Sequence, residues 1–159
     1  MYSLEPKIID TSKRLFIGKR INMSLVDNKT GELWASFGPF IRSIPNRIGN
    51  DRFSLQVYDS TYFNHFNPKK EFTKWALVEV NTLNEILANL ESFILHEGKY
   101  AVFSYKGLSS DTSVFRYIYS EWLPNSEWSL DDRPHFEVLG SAYKNDSADS
   151  EEEIWIPIK

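Results

Sequence analysis

Residues 52–59 read RFSLQVYD and residues 71–80 read EFTKWALVEV. In the first stretch Phe53, Leu55 and Val57 alternate with polar residues, and the second stretch alternates in a similar way. Such alternation is typical of β-strands that bury one face. A polar loop that contains a proline, residues 64–70, lies between the two stretches. The sequence here therefore predicts two consecutive strands.

A strand and a helix are predicted upstream of this pair. Residues 14–25 mix β-branched and basic residues in partial alternation, which favours a strand with one exposed face. Residues 27–30 offer caps for a helix. Gly38-Pro39 is expected to disturb this helix, and Pro45 lies near its end. The apolar residues of the helix share one face: Leu33, Trp34, Phe37, Phe40, Ile41 and Ile44.

The second half of the chain repeats this order of elements. Residues 99–106 (KYAVFSYK) predict a strand, and residues 109–111 can cap a helix that ends at Pro124. Further strands are predicted at 135–139 and at 153–158.

Residues 81–97 fit two patterns. Apolar residues between Leu83 and Ile94 have helical spacing, whereas residues 92–95 followed by Glu97-Gly98 favour a hairpin. We expect a short helix or an irregular segment through about Leu90, and then a strand that forms a hairpin with the next one.

The two halves can be overlaid at an offset of about half the chain, which indicates a duplication. One domain is expected over residues 1–159, with repeat one at about 7–80 and repeat two at about 91–159. The predicted fold is α+β, with duplicated βαββ units, an antiparallel sheet and a central ligand cleft at the pseudo-two-fold axis. Three aromatic pairs coincide in the overlay: Trp34 with Tyr117, Phe53 with Phe136, and Trp75 with Trp155.

Bulk composition excludes several classes of site and partner. The 159 residues include no cysteine, so disulfides and thiolate metal sites are excluded. The net charge of −4 argues against nucleic acid as a direct partner, because phosphate binding requires a basic face. No apolar run approaches the roughly 20 residues of a membrane span, and the first ten residues lack the apolar region of a secretory signal. We therefore expect a cytoplasmic protein with no membrane partner.

Metal-binding and nucleophile motifs are absent as well. His65, His96 and His135 show no i, i+3 or i, i+4 pairing, no G-x-S-x-G motif occurs, and the seven glycines are scattered. The sequence therefore predicts neither a metal nor a cofactor.

Glu137 is the candidate polar group of a ligand cavity. If Phe136 and Val138 face one side of a strand, Glu137 and His135 share the other. Position alone leaves open whether Glu137 is exposed or lines a pocket. Aromatic residues make up 15% of the chain, and a carboxylate beside aromatic faces suits a lipophilic cation. The candidate ligand-binding residues are Glu137, Trp34, Phe37, Trp75, Tyr105, Tyr119, Trp122 and Trp155.

Several segments, in their order and spacing, resemble the GyrI-like domain, which is also the bacterial effector-binding domain of AraC-type and MerR-type transcription regulators. The resemblance spans about residues 7–159 and implies a duplicated βαββ fold with a central cleft. It also implies that Glu137, in the family's F-E motif, contacts amphipathic or cationic ligands. Leu139 stands where the family often has an aromatic residue. The segments are Ile44-Pro45-Asn46-Arg47, 52–59, Lys74-Trp75-Ala76, 98–107 (GKYAVFSYKG), 122–126 (WLPNS), Phe136-Glu137 and 153–158 (EIWIPI).

The resemblance leaves three functions open. The leading one is a stand-alone protein that senses or sequesters a small organic ligand and is linked to transcription regulation, with no helix-turn-helix segment of its own. A second is an interaction protein similar to the gyrase inhibitor, with a regulator or a topoisomerase as its partner. The third is a hydrolase of strained electrophiles, in which Glu137 acts as base and Tyr105 or Tyr119 as acid.

Overall fold

Eight strands form one antiparallel sheet in the computed structural model, which describes residues 4–159. Residues 1–3 of the expected domain lie outside the described part. The predicted α+β class with an antiparallel sheet is confirmed. The strands are β1 (Lys7–Thr11), β2 (Arg14–Met23), β3 (Arg52–Val57), β4 (Phe72–Val80), β5 (Glu91–Leu95), β6 (Gly98–Lys106), β7 (His135–Leu139) and β8 (Glu151–Pro157).

Both predicted helices are present, and both are interrupted near a proline. Helix α1 (Thr30–Phe37) continues as a 3-10 helix (Gly38–Ser43), with Pro39 in its first turn. The second helical segment comprises α2 (Ser113–Tyr117), a π-helical turn (Ile118–Trp122) and α3 (Leu123–Asn125). Pro124 has no backbone N–H, and its ring crowds the preceding turn. The widened π-helical turn lies at that position, and the segment ends one residue after the proline.

The strand order is symmetric about the pair formed by β3 and β7. Across the sheet the order is β1-β6-β8-β7-β3-β4-β2-β5. On one side of the centre lie β3, β4 and β2, which are connected through α1. On the other side lie β7, β8 and β6, which are connected through the second helical segment. The edge strands cross over, because β1 pairs with β6 and β5 pairs with β2.

The predicted hairpin between β5 and β6 is wrong, although the predicted strand exists. Residues 81–90 are irregular, which is one of the two conformations expected there. Strand β5, however, pairs with β2 at the far edge of the sheet. Only two residues separate Leu95 from Gly98, so these ends lie within about 11 Å of each other. The short link therefore brings the two sheet edges together, and the sheet must curve strongly. Strand β1, which the sequence did not predict, is joined to β2 by an equally short link.

Contacts across the sheet show which face is concave. The Arg14 guanidinium on β2 lies 5.8 Å from the ring of Trp155 on β8. Three strands separate β2 from β8, which is about 19 Å in a flat sheet. The face that carries these residues is therefore the inner one. Its buried core comprises Phe16, Phe53, Leu55, Trp75, Leu77, Leu95, Tyr100, Val102, Phe136 and Trp155.

The outer face carries the helices on its two flanks. Leu33 and Phe37 of α1 pack on the flank formed by β2 and β4. Val114 and Ile118 of the second helical segment pack on the flank formed by β6 and β8. The central strands β3 and β7 contribute to neither of these clusters. A cleft between the helices is therefore left above them.

The strand register corrects one of the aromatic equivalences. Leu55 lies opposite Trp75, as Phe136 lies opposite Trp155. Leu55 rather than Phe53 therefore stands in the position that corresponds to Phe136.

Candidate functional site

Polar side chains form the floor of the cleft between the helices. The apolar residues of β3 and β7 point to the inner core, so the residues that alternate with them along each strand point outward. Lys74 on β4 and Glu152 on β8 extend the same face on either side, since Trp75 and Trp155 take the inner positions. We define the polar floor as Ser54, Gln56, Lys74, His135, Glu137 and Glu152.

Glu137 lies at the centre of the polar floor. It is partly buried, and its Oε1 accepts a hydrogen bond of 3.3 Å from Nε2 of Gln56. Burial raises the pKa of Glu137, while the charge of Lys74 and the hydrogen bond from Gln56 oppose that rise. The carboxyl group is therefore held in a site that solvates its charge poorly.

The charge of Glu137 affects the pKa values of both Glu152 and Lys74. Burial, together with the charge of Glu137, raises the pKa of Glu152 to about 7. Burial lowers the pKa of Lys74, and the charges of Glu137 and Glu152 oppose that change. The three groups therefore form one electrostatic unit along the floor.

His135 and Tyr119 close one end of the floor. The Tyr119 hydroxyl and Nδ1 of His135 share a hydrogen bond of 3.0 Å. Burial, and to a lesser extent the charge of Arg133, lowers the pKa of His135 to about 3, so the ring is neutral at physiological pH. Burial raises the pKa of Tyr119, which keeps its phenol protonated. Tyr119 lies in the π-helical turn, a distortion that is often found at functional sites.

Aromatic rings from the loop between β3 and β4 cover this end of the cleft. Phe63 stacks on His135 with centroids 5.2 Å apart and lies 5.3 Å from Tyr119. Tyr58 meets His135 edge-on at 4.9 Å, and Tyr62 packs on Tyr58 at 4.4 Å. We call Tyr58, Tyr62 and Phe63 the aromatic cap.

Two openings adjoin the floor. A cavity of about 220 Å³ lies at the capped end and is lined by Tyr58, Phe63 and His135 among others. A wider groove of about 490 Å³ lies where β6, β7 and β8 meet the segment 140–142, and Val138, Glu152 and Glu153 are among its lining residues. Glu137 lines neither of these cavities.

The structure brings together only some of the predicted site residues. Glu137 and Tyr119 both face the cleft, and the charge of Glu137 contributes to the raised pKa of Tyr119. Tyr105 lies at the groove, where its hydroxyl donates a hydrogen bond of 2.9 Å to the carbonyl of Leu108.

The other predicted aromatic residues lie in core clusters. Trp34 and Phe37 are part of α1 and pack in the cluster between this helix and strands β2 and β4, where Phe37 is fully buried. Trp122 packs edge-on against Phe103 at 5.1 Å. Trp75 and Trp155 lie on the inner face, on the opposite side of the sheet from Glu137. The sheet backbone therefore separates these two rings from the cleft.

Sequence reasoning missed Lys74, Gln56, Glu152 and the aromatic cap. Lys74 and Gln56 could have been found from strand alternation, since each is next to an inner-core residue, but the outward face reads as solvent-exposed in sequence. The cap residues lie in a loop, where no periodicity indicates which way a ring points.

Metal-ligand geometry is not present in the described range. Within residues 4–159 no group of three or more His, Asp or Glu side chains is arranged so that it could hold a metal ion. None of the helices in that range is long and apolar enough to cross a membrane.

Comparison with known proteins gives one family and several similar structures. A family model described as GyrI-like small molecule binding domain matches residues 4–159. The chain matches none of the curated proteins with which it was compared.

Three solved structures illustrate the likeness. An integron cassette protein from the mobile metagenome of Vibrio cholerae is 16% identical, with a TM-score of 0.64 over 98% of this chain and 97% of that one. SAV2435, solved bound to tetraphenylphosphonium, is 15% identical, with a TM-score of 0.64 over 98% and 94%. The C-terminal domain of EcmrR is 15% identical, with a TM-score of 0.64 over 98% of both chains. At these identities the structures support the fold alone.

Proposed function

We propose, since the chain belongs to the family of GyrI-like small molecule binding domains, that it binds an amphipathic organic cation in the cleft between its helices. Glu137 provides the countercharge in this proposal, and Tyr119 with the aromatic cap contacts the apolar part of the ligand. The observation that carries it is the position of Glu137, a partly buried carboxylate on the floor between two helices.

Electrostatics favours a cation over other ligands. The raised pKa of Glu137 means that its charge is poorly solvated in the ligand-free protein, and an opposite charge nearby favours the ionised form. Aromatic faces attract a cation further, by about 0.5–2 kcal/mol for each ring. An anion of the same shape meets the carboxylates of Glu137 and Glu152 and is disfavoured.

The biological role we infer is sensing or sequestering of such a cation, in connection with transcription regulation. The similar domain of EcmrR belongs to a protein solved in complex with DNA. The net charge of −4 in this chain favours a ligand-binding role over direct contact with nucleic acid.

Hydrolysis of an electrophilic ligand is a second candidate, because a carboxyl group and a phenol share the cleft. A carboxyl group with a raised pKa is suited to proton transfer near neutral pH, and Glu137 meets that condition. The raised pKa of Tyr119 makes its phenol a weaker acid. This weakens the candidate relative to binding alone.

Calorimetric titration with two ions of matched shape tests the proposal. Tetraphenylphosphonium and tetraphenylborate differ in the sign of their charge and little in size. We expect saturable binding of the phosphonium and at least tenfold weaker binding of the borate, which corresponds to about 1.4 kcal/mol. Equal affinities would show that the charge of the carboxylates does not determine which ligand binds.

Mass spectrometry of the protein incubated with strained electrophiles separates the two candidates. An unchanged compound supports binding alone, and a hydrolysed product that requires Glu137 establishes the enzyme.

A further inference from the structure

Lys74 occupies an unusual position for a lysine in this protein. Its side chain lies on the outward face of β4, directly opposite Gln56, and the residue is only 7% exposed. Within residues 4–159 its ammonium forms no ion pair with a carboxylate at 4.0 Å or less, whereas Lys70 and Lys99 are both paired. Burial of a lysine without a close partner is costly. Among the described residues, the buried charge of Lys74 is therefore not offset by a close ion pair beside the cleft.

The neighbours of Lys74 point to an electrostatic role. It interacts with both Glu137 and Glu152, and Gln56, which lies directly opposite Lys74 in the sheet, donates a hydrogen bond to Glu137. His135 is neutral, so Lys74 is the one positive side chain of the polar floor. With both carboxyl groups ionised, the floor carries a net charge of −1. The charges of the floor thus match a ligand with a single positive charge.

We propose that Lys74 is a resident cation that restricts the cleft to singly charged organic cations and excludes dications. This inference rests on the proposed function and adds the charge class of the ligand. A monocation pairs with Glu137 while Lys74 continues to offset part of the charge of Glu152. A dication places its second charge in a floor where Lys74 already supplies one, so that repulsion replaces attraction.

Replacing Lys74 should change which ligand charge the cleft prefers. In Lys74→Met the methionine keeps most of the length and the apolar stem of lysine, and with both carboxyl groups ionised the floor carries −2. Both carboxylates are then available to a ligand, and a dication gains more than a monocation does. Affinity for monocations should also rise in this variant, because the attraction of the floor for positive charge increases.

Two flat, nearly isosteric probes separate charge from shape. 1-Methyl-4-phenylpyridinium carries one positive charge, and 1,1′-dimethyl-4,4′-bipyridinium carries two. Dissociation constants for both are measured by calorimetry with the wild type, Lys74→Met and Lys69→Met. Lys69→Met is the matched control, because Lys69 is exposed and its loss changes the total charge equally.

We expect the wild type to bind the monocation at least tenfold more tightly than the dication. In Lys74→Met that ratio should shift at least tenfold toward the dication, while Lys69→Met keeps the wild-type ratio. An unchanged ratio in a folded Lys74→Met protein that still binds the monocation overturns this inference and leaves the proposed function standing. Failure of the wild type to bind either this monocation or tetraphenylphosphonium overturns the proposed function, and this inference with it. Lys74→Gln, measured in the same way, replaces Lys74→Met if the methionine variant loses its near-ultraviolet circular dichroism.

Discussion

Glu152 links the protonation of the cleft to its affinity for cations. Its pKa of about 7 reflects burial and the charge of Glu137, with Lys74 opposing, and Tyr105 lies opposite it in the neighbouring strand. A bound cation favours the ionised carboxylate. As pH falls from 8 to 6, the carboxyl group takes up a proton and the floor loses one negative charge. Affinity for tetraphenylphosphonium should therefore fall about three- to tenfold over this range, as measured by calorimetry.

Glu152→Gln provides the control for this pH dependence. The amide cannot ionise, so the variant should bind with a flatter pH profile than the wild type. A slope that persists unchanged in the variant would assign the titration to another group, and Glu137 is the next to test.

The same shift predicts how the ligand-free protein responds to pH. The folded-state pKa of Glu152 lies above its ordinary value of 4.5, so the folded state binds the proton more tightly than the unfolded state does. The contribution of Glu152 to stability is therefore present below about pH 4.5 and is lost as pH rises to about 7.

At the scale of elements, the aromatic cap isolates His135 from water. Phe63 stacks on the imidazole and is itself 41% exposed. In Phe63→Ala water should reach the ring, so the pKa of His135 should rise by at least one unit from about 3. NMR titration of the imidazole signals measures this change. A His135 pKa that stays near 3 would show that Tyr58 and Tyr119 bury the ring without Phe63.

Two glycines make a matched pair for the pairing of β2 and β4. A Cβ on Gly18 would overlap the carbonyl oxygen of Ala76, whereas a Cβ on Gly31 in α1 would meet no atom within 4 Å. Gly18→Ala should therefore lower the free energy of unfolding by about 1–3 kcal/mol. Gly31→Ala should raise it by about 0.5–1 kcal/mol, because alanine is the better helix former. Urea denaturation that gives the same sign for both variants would contradict the close approach of β2 to β4.

The elements themselves were largely predictable from sequence, but their partners were not. Alternation and capping residues located both helices and seven of the eight strands. They did not show that β5 pairs with β2, because periodicity describes one strand at a time. The short strand β1 was missed because five residues carry too little alternation to distinguish them from a terminal segment.

At the scale of the whole molecule, the curvature of the sheet decides which residues can form a site. Because the sheet curls around its aromatic core, residues of odd and even position in one strand lie in separate compartments. Strand alternation predicted that Glu137 and Phe136 lie on opposite faces of the sheet, but position alone left open whether Glu137 is exposed or lines a pocket. Trp75 and Trp155 were predicted to line the same site as Glu137. The face of the sheet on which each ring lies follows from the register with neighbouring strands, and the sequence of one strand does not contain that information. Much of the aromatic surplus is therefore core.

If Glu137 is the countercharge for a bound cation, its loss must weaken binding, and calorimetric titration of Glu137→Gln with tetraphenylphosphonium measures that loss. The wild type and Glu85→Gln, which alters an exposed loop glutamate, serve as controls. We predict that Glu137→Gln binds at least tenfold more weakly than both controls, a loss of about 1.4 kcal/mol, with unchanged circular dichroism. An affinity equal to that of the wild type in a folded Glu137→Gln protein would show that Glu137 is not the countercharge.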